Sequence, residues 1–216
     1  MSKEIEVVEN IFEENDRIAA KINSLLTENK VYCINVLGAP GVGKTSVMKK
    51  VFEKAPFTSF VIEGDIESDI DTETLNNLGI KTVQINTHGA CHLDAPSIEN
   101  ALKDVRDIKN GVLFIENIGN LVCPAEFNIG EHAKMLIVST TDGSDKPYKY
   151  PLAFEKANLI ILNKCDLIPY LDFDYDFFLK GILAQNKNAT VLSVSSKTGE
   201  GFDAVVEWIE SNVSRI

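Results

Sequence analysis

Apolar residues recur along this chain in two alternating styles, and the alternation already predicts an architecture. Residues 3 to 28 place Ile5, Val8, Ile11, Phe12, Ile18, Ala19, Ile22 and Leu25/Leu26 at a spacing near 3.6, which predicts an amphipathic helix. Val31-Tyr32-Cys33-Ile34-Asn35-Val36-Leu37 follows as a β-rich run that ends on a glycine loop, and 44 to 53 then reads as a helix. Further apolar runs at 60–62, 82–85, 112–115, 135–139, 159–162 and 190–194 bring the predicted strands to seven. Between them lie helix-like stretches at roughly 71–79, 94–108, 171–186 and 200–213, the last with Phe202, Val205, Val206, Trp208 and Ile209 on one face. Near-continuous apolar runs are the mark of strands buried on both faces. Alternation with helices implies right-handed βαβ crossovers and a mostly parallel sheet, whose ligands sit at the carboxyl ends of the strands.

The glycine loop is Gly38-Ala39-Pro40-Gly41-Val42-Gly43-Lys44-Thr45, followed by Ser46, and it has the form G-x-x-x-x-G-K-[ST] between a predicted strand and a predicted helix. Glycines at 38, 41 and 43 let successive backbone N–H groups turn inward on phosphate oxygens at the positive end of a helix. Lys44 would reach the β and γ phosphates and the Thr45 hydroxyl would bind Mg²⁺. The fold class expected is therefore α/β, a three-layer P-loop NTPase with a mostly parallel seven-stranded sheet flanked by helices. Asn163-Lys164-Cys165-Asp166 follows a strand and has the form N-K-x-D. An aspartate accepts both the N1–H and the exocyclic amine of guanine, a donor pair that adenine lacks, so Asp166 selects GTP and GDP. Asn163 and Lys164 would brace the loop, and Ser195-Ser196-Lys197 resembles the turn that closes over the base. With no repeat or linker in sight, the division expected is an N-terminal helix over 1–28 packed on a GTPase domain over 29–216.

Composition narrows the partners. Hydrophobic residues at 44% and charged residues at 25% are those of an ordinary globular protein. The net charge of −11, from 32 acids against 21 bases, argues against a sequence-independent grip on nucleic acid or an anionic membrane. No apolar run approaches the roughly 18 residues of a membrane span, so a cytoplasmic location is expected. The four cysteines, at 33, 91, 123 and 165, form no disulfide framework. Cys33 inside a strand and Cys165 in N-K-x-D are expected to pack, and His132 reads as a surface residue.

Mg²⁺ wants hard oxygen ligands at strand ends. Glu63, Asp65, Glu67, Asp69, Asp71 and Glu116 are the available acids, with Glu67 and Asp69 more simply read as solvated. Adjacent Cys91-His92 and the distant Cys123 offer two thiolates and an imidazole suited to Zn²⁺ or Ni²⁺. Spacing alone leaves open whether these thiols hold metal or are merely packed.

Beyond the P-loop, Glu63-Gly64-Asp65, Asn86-Thr87, Cys91-His92-Leu93-Asp94-Ala95, the run Phe114-Ile115-Glu116-Asn117-Ile118-Gly119-Asn120-Leu121-Val122-Cys123-Pro124-Ala125, and Asp145-Lys146-Pro147-Tyr148-Lys149-Tyr150-Pro151 strongly resemble the HypB family of hydrogenase nickel-incorporation GTPases. The resemblance implies a GTPase that dimerises with GTP and works with a HypA-type metallochaperone to deliver nickel to the large-subunit precursor of [NiFe] hydrogenase. It implies a metal site of Cys91, His92 and Cys123 at the dimer interface. Catalytic roles fall to Lys44, Asp71 and Glu116, and Mg²⁺ ligation to Thr45, Asp71, Glu116 and Asp65. It also implies an approach of Lys149 to the partner's nucleotide. Three departures stand out. The chain carries neither the Cys-rich nor the His-rich nickel segment of many members, so storage of several nickel ions is not expected. Where the family usually has Asn-Thr-Gly-Lys this chain has Asn86-Thr87-His88-Gly89, and His88 is either an extra ligand or a tolerated loop residue, while Pro96 stands where some archaeal-type members have histidine. No arginine finger is evident, so slow turnover is expected. A urease-type accessory GTPase is the near alternative, disfavoured because its metal motif sets a proline between cysteine and histidine. A non-catalytic, nucleotide-stabilised metal-binding module and a small-molecule kinase are the others; the kinase would leave N-K-x-D without a role.

Overall fold

The computed structural model describes residues 4–64, 80–87, 89–105 and 108–216. The expected helix at 71–79 and the candidate residues Asp65, Glu67, Asp69, Asp71 and His88 lie outside the described residues. All seven strands are present: β1 (Val31–Leu37), β2 (Thr58–Glu63), β3 (Lys81–Gln84), β4 (Gly111–Glu116), β5 (Ala133–Ser139), β6 (Leu159–Asn163) and β7 (Thr190–Ser193). They form one sheet in the order β3-β2-β4-β1-β5-β6-β7, with every pairing parallel.

Alternate residues of β1 show how the layers are built. Tyr32, Ile34 and Val36 join a core covered by α2 (Lys44–Lys54) and the C-terminal helix, α8 (Phe202–Val213). Val31 and Cys33 face the other way, into a core closed by α1 (Glu4–Glu28) and α3 (Ala95–Asp104). Leu37 belongs to its continuation under α6 (Pro151–Lys156) and α7 (Tyr175–Gln185). Among the described side chains of α1, Asn15, Ile18, Ala19, Ile22 and Leu26 are buried, spaced as a helix face requires.

Several boundaries moved for local reasons. α3 starts where the Asp94 side chain caps the Ser97 N–H, and stops at Asp104, short of the expected 108. α7 starts at Tyr175, not 171, because Asp174 caps the Phe177 N–H at 2.9 Å. α8 waits for Gly201, at φ 80°, and begins at Phe202. Three short helices went unpredicted: α4 (Cys123–Glu126), α5 (Lys146–Lys149) and α6, each with a proline in its first turn. Such helices are too brief to display a period, and proline there sacrifices no helical hydrogen bond.

β4 lies on one side of β1 and β5 on the other, so residues 117–132 must cross β1 between them. That reversal is the topological switch point where parallel sheets bind ligands. Both candidate sites meet there.

Candidate nucleotide and metal sites

At the carboxyl end of β1 the glycine loop turns as its sequence predicts. Gly43 sits at φ 92°, and a Cβ there would lie 2.7 Å from Asn163 Nδ2. Lys44, only 6% exposed, points its Nζ back to the Gly38 carbonyl at 3.5 Å. The Thr45 hydroxyl donates to Glu116 Oε1 at 3.3 Å, so a hydroxyl and a buried carboxylate converge at the start of α2. Glu63 ends β2 directly beside Glu116 in the strand register and is also buried.

The base-reading segments are tied to the loop and to each other. Asn163 Nδ2 donates to the Val42 carbonyl at 2.9 Å and Lys164 Nζ to the Gly41 carbonyl at 2.8 Å. Ser195, fully buried, donates its hydroxyl to Asp166 Oδ1 at 2.6 Å. Ser196 donates to Asn163 Oδ1 from its amide at 3.2 Å and from its hydroxyl at 3.0 Å. Asp166 is thus half-buried and tethered through Oδ1 to Ser195, while Lys197 stays exposed. Lys149, on α5, is exposed and ion-paired with Asp145 at 2.5 Å.

The donor atoms of Cys91, His92 and Cys123 all lie within 4.8 Å of one another, although Cys91 and Cys123 are 32 residues apart in sequence. His92 Nδ1 stands 3.3 Å from Cys91 Sγ. The Cys123 thiol hydrogen-bonded to Cys91 pushes the Cys91 thiol above its ordinary range, because a proton shared between two sulfurs is harder to remove. Two soft thiolates and an imidazole at this separation fit a single Zn²⁺ or Ni²⁺. The other two thiols differ: Cys33 is fully buried and pushed far up by burial, and Cys165 is half-buried and raised for the same reason. His132 is not a surface residue. Its ring is half-buried, accepts the Cys33 N–H at Nδ1 (2.9 Å), and so carries its proton on Nε2, which faces the Thr27 hydroxyl at 2.9 Å. Desolvation lowers its pKa, and its role is to lock β1 to the end of the crossing segment.

Between the two sites runs a set of asparagines that sequence reasoning did not single out. Asn117, fully buried, accepts the Leu93 N–H (3.1 Å) and the Ile118 N–H (2.9 Å) on Oδ1. Its Nδ2 donates to Asn35 Oδ1 at 3.1 Å, and Asn35 donates in turn to Glu131. Asn120 pairs its backbone with Gly38 of the phosphate loop, donates from Nδ2 to the Cys91 carbonyl at 3.3 Å, and accepts the Val122 N–H at 2.9 Å. The available signal was Asn35, a polar residue in the middle of an apolar strand, which must have a buried partner.

Fold and site together define a P-loop nucleotide-binding protein of the guanine-reading kind, with a thiol–imidazole cluster beside its phosphate loop. A family model, the CobW/HypB/UreG nucleotide-binding domain, matches residues 32–193. The hydrogenase maturation factor HypB of Rhizobium leguminosarum bv. viciae is 41% identical over 219 residues, spanning 100% of this chain and 73% of that protein. The crystal structure of HypB from Archaeoglobus fulgidus superimposes with a TM-score of 0.87 at 33% identity, covering 93% of this chain and 99% of that one. HypB from Helicobacter pylori in complex with nickel does so with a TM-score of 0.89 at 30% identity, covering 94% and 96%. The chain belongs to the HypB family of hydrogenase maturation factors. Among the described residues, no helix is long and apolar enough to cross a membrane.

Proposed function

We propose that this chain is a slow GTPase that holds one Ni²⁺ or Zn²⁺ between Cys91, His92 and Cys123, and delivers nickel for [NiFe]-hydrogenase maturation. It would work in the cytoplasm as a homodimer assembled with GTP, with a HypA-type metallochaperone as partner and the hydrogenase large-subunit precursor as client. The observation that carries this reading is the continuous path from Thr45 through Glu116 and Asn117 to Leu93, and from Gly38 through Asn120 to Cys91 and the start of α4 at Cys123. A loop that changes shape with the nucleotide cannot leave the metal ligands unmoved when it shares hydrogen bonds with both.

The roles follow from the chemistry of each group. Backbone N–H groups between residues 38 and 46, Pro40 excepted, and the Lys44 ammonium would surround the phosphates, and Asp166 would read guanine while Asn163, Lys164, Ser195, Ser196 and Lys197 hold the base loops in place. The Thr45 hydroxyl, half-buried, and the buried Glu116 carboxylate, 3.3 Å apart, are the oxygen pair that suits Mg²⁺, with Asp71 and Asp65 as its further acids. Bound there, Mg²⁺ would offset charge on the transferring phosphoryl group. Lys149, exposed and held by Asp145, would serve the partner's nucleotide.

Nickel titration of the GDP and GTP-analogue states, for the wild type, Cys91→Ala and Cys123→Ala, with mass in solution recorded throughout, tests this. Tighter binding in one state, lost in both variants, is expected. Equal affinity in both states, indifferent to either substitution, would sink the coupling, because a switch requires differential affinity. Absence of phosphate release from GTP and Mg²⁺ under every metal condition would favour the non-catalytic module.

A further inference from the structure

One turn of α1 reaches both halves of the candidate metal site. Phe12 stacks on Phe127 with ring centroids 5.1 Å apart and planes at 26°. Phe127 stacks in turn on His92 at 3.9 Å and 25°. The three rings make a ladder from α1 to the imidazole. Three residues along the same helix face, Asn15 is 5% exposed and uses both ends of its amide. Its Oδ1 accepts the Ala95 N–H at 2.9 Å, at the start of the helix that follows Cys91-His92. Its Nδ2 donates to the Asn128 carbonyl at 2.8 Å, in the segment that follows Cys123. A single side chain therefore closes the two ligand-bearing segments on each other. Further down α1, Asn23 donates to the Gly130 and Glu131 carbonyls at 3.2 and 3.3 Å. Gly130, at φ 92°, lies so close to Ile22 that a Cβ would stand 2.5 Å from it, so helix and loop fit as one unit.

A metal ligand on a loop must be held in one orientation before it binds, or ordering it draws on the binding free energy. His92 is half-buried, and its ring plane is set by Phe127 with Nδ1 turned toward the Cys91 sulfur. The spacing of that ligand pair from Cys123 is set by Asn15. Neither contact involves the phosphate loop, so this support is separate from the asparagine path described above.

We propose that the Phe12–Asn15 turn of α1 is a clasp that preorganises the metal site and gives the protein a second control over its metal, independent of the nucleotide. Phe127 is a positioning residue for His92, and Asn15 sets the approach of the Cys91-His92 segment to that of Cys123. Drawing α1 away from this contact loosens the metal and leaves nucleotide binding as it was. The inference rests on the metal site proposed above.

The test uses the full chain and compares Phe127→Leu, Phe127→Tyr, Asn15→Ala, Phe12→Ala and Cys91→Ser with the wild type. Nickel affinity is measured by chelator competition, coordination by the absorption spectrum of the Co²⁺-loaded protein, and fold by GDP affinity. Phe127→Leu and Asn15→Ala are expected to weaken nickel by about 10-fold or more, the usual cost of losing a group that orients a metal ligand, with GDP affinity unchanged. Phe127→Tyr keeps the stack and is expected to retain both the affinity and the cobalt spectrum, while Phe12→Ala weakens nickel less than Phe127→Leu does. Wild-type nickel affinity in Phe127→Leu and Asn15→Ala, with Cys91→Ser impaired, overturns the clasp and leaves the metal site standing. A Cys91→Ser protein that binds nickel normally removes the metal site itself. If Phe127→Leu also loses GDP, then Asn15→Ala and Phe12→Ala decide, and normal nickel binding by both overturns the proposal.

Discussion

Replacing Asn120 by alanine cuts the side-chain link between phosphate loop and metal site while leaving the Gly38 backbone bridge in place. The substitution removes two hydrogen bonds, from Nδ2 to the Cys91 carbonyl at 3.3 Å and from the Val122 N–H to Oδ1 at 2.9 Å. Both are exposed to solvent, so each belongs at the low end of the usual range, roughly 0.5 kcal/mol, and together they amount to about 1 kcal/mol. At 1.4 kcal/mol per tenfold, that is about a fivefold change in an equilibrium ratio. The quantity to follow is the ratio of nickel affinities in the GTP-analogue and GDP states, obtained by competition titration of each. In Asn120→Ala this ratio should shrink by about fivefold, and the effect of nickel on nucleotide affinity should shrink by the same factor, because coupling between two ligands is reciprocal. A ratio identical to the wild type, even with both affinities lowered, would show that Asn120 supports the metal loop locally and carries no message. Asn117 would be a poorer probe, since its burial and its bonds to Asn35, Leu93 and Ile118 make loss of fold the first consequence.

Asp166→Asn keeps an oxygen for the Ser195 hydroxyl yet exchanges the acceptor that faces guanine; loss of two hydrogen bonds to a charged group, at least about 3 kcal/mol, should weaken GDP by about 100-fold, with xanthine nucleotides rescuing binding in the same titration. Gly43→Ala forces a side chain into φ 92° against Asn163 Nδ2, a strain of roughly 1–3 kcal/mol, and should lower Tm and nucleotide affinity together in thermal melts and GDP titrations. Burial pushes the Tyr32 phenol up to about 12 from its ordinary 10.0. Its folded pKa is the higher one, so its stabilisation is whole below about pH 10 and is lost as pH rises toward about 12. Urea unfolding of Tyr32→Phe should lack that part of the alkaline decline. His132 has the opposite sign: its folded pKa is depressed, so its contribution is present above 6.5 and is lost as acid protonates Nδ1 and breaks the Cys33 N–H bond. The acid limb of unfolding should be blunted in His132→Gln.

The seven strands and the two nucleotide motifs were legible because each is written in a contiguous stretch. Apolar runs declare strands buried on both faces, and G-x-x-x-x-G-K-T and N-K-x-D carry their chemistry within a few bonds of one another. The short helices around Cys123, Pro147 and Pro151 had no such signature, since four to six residues complete barely one turn. His132 was misjudged for a related reason. Its partner, the Cys33 N–H, is 99 residues away, and nothing nearby announces it.

For the site itself, the sequence alone determined which groups are present: a lysine and threonine for phosphate and metal, an aspartate for guanine, two cysteines and a histidine of the right softness for nickel or zinc. It also placed each of them after a strand, and so on one edge of a parallel sheet. Only the tertiary structure decided that Cys91 and His92 meet Cys123 within 4.8 Å, that Asn117 and Asn120 stitch this cluster to the phosphate loop, and that Phe12 and Asn15 brace it from α1. The physical reason is that hydrogen bonds and ring contacts act over a few ångströms. Between groups dozens of residues apart they exist only once β4 and β5 flank β1 and the chain between them is drawn across its end.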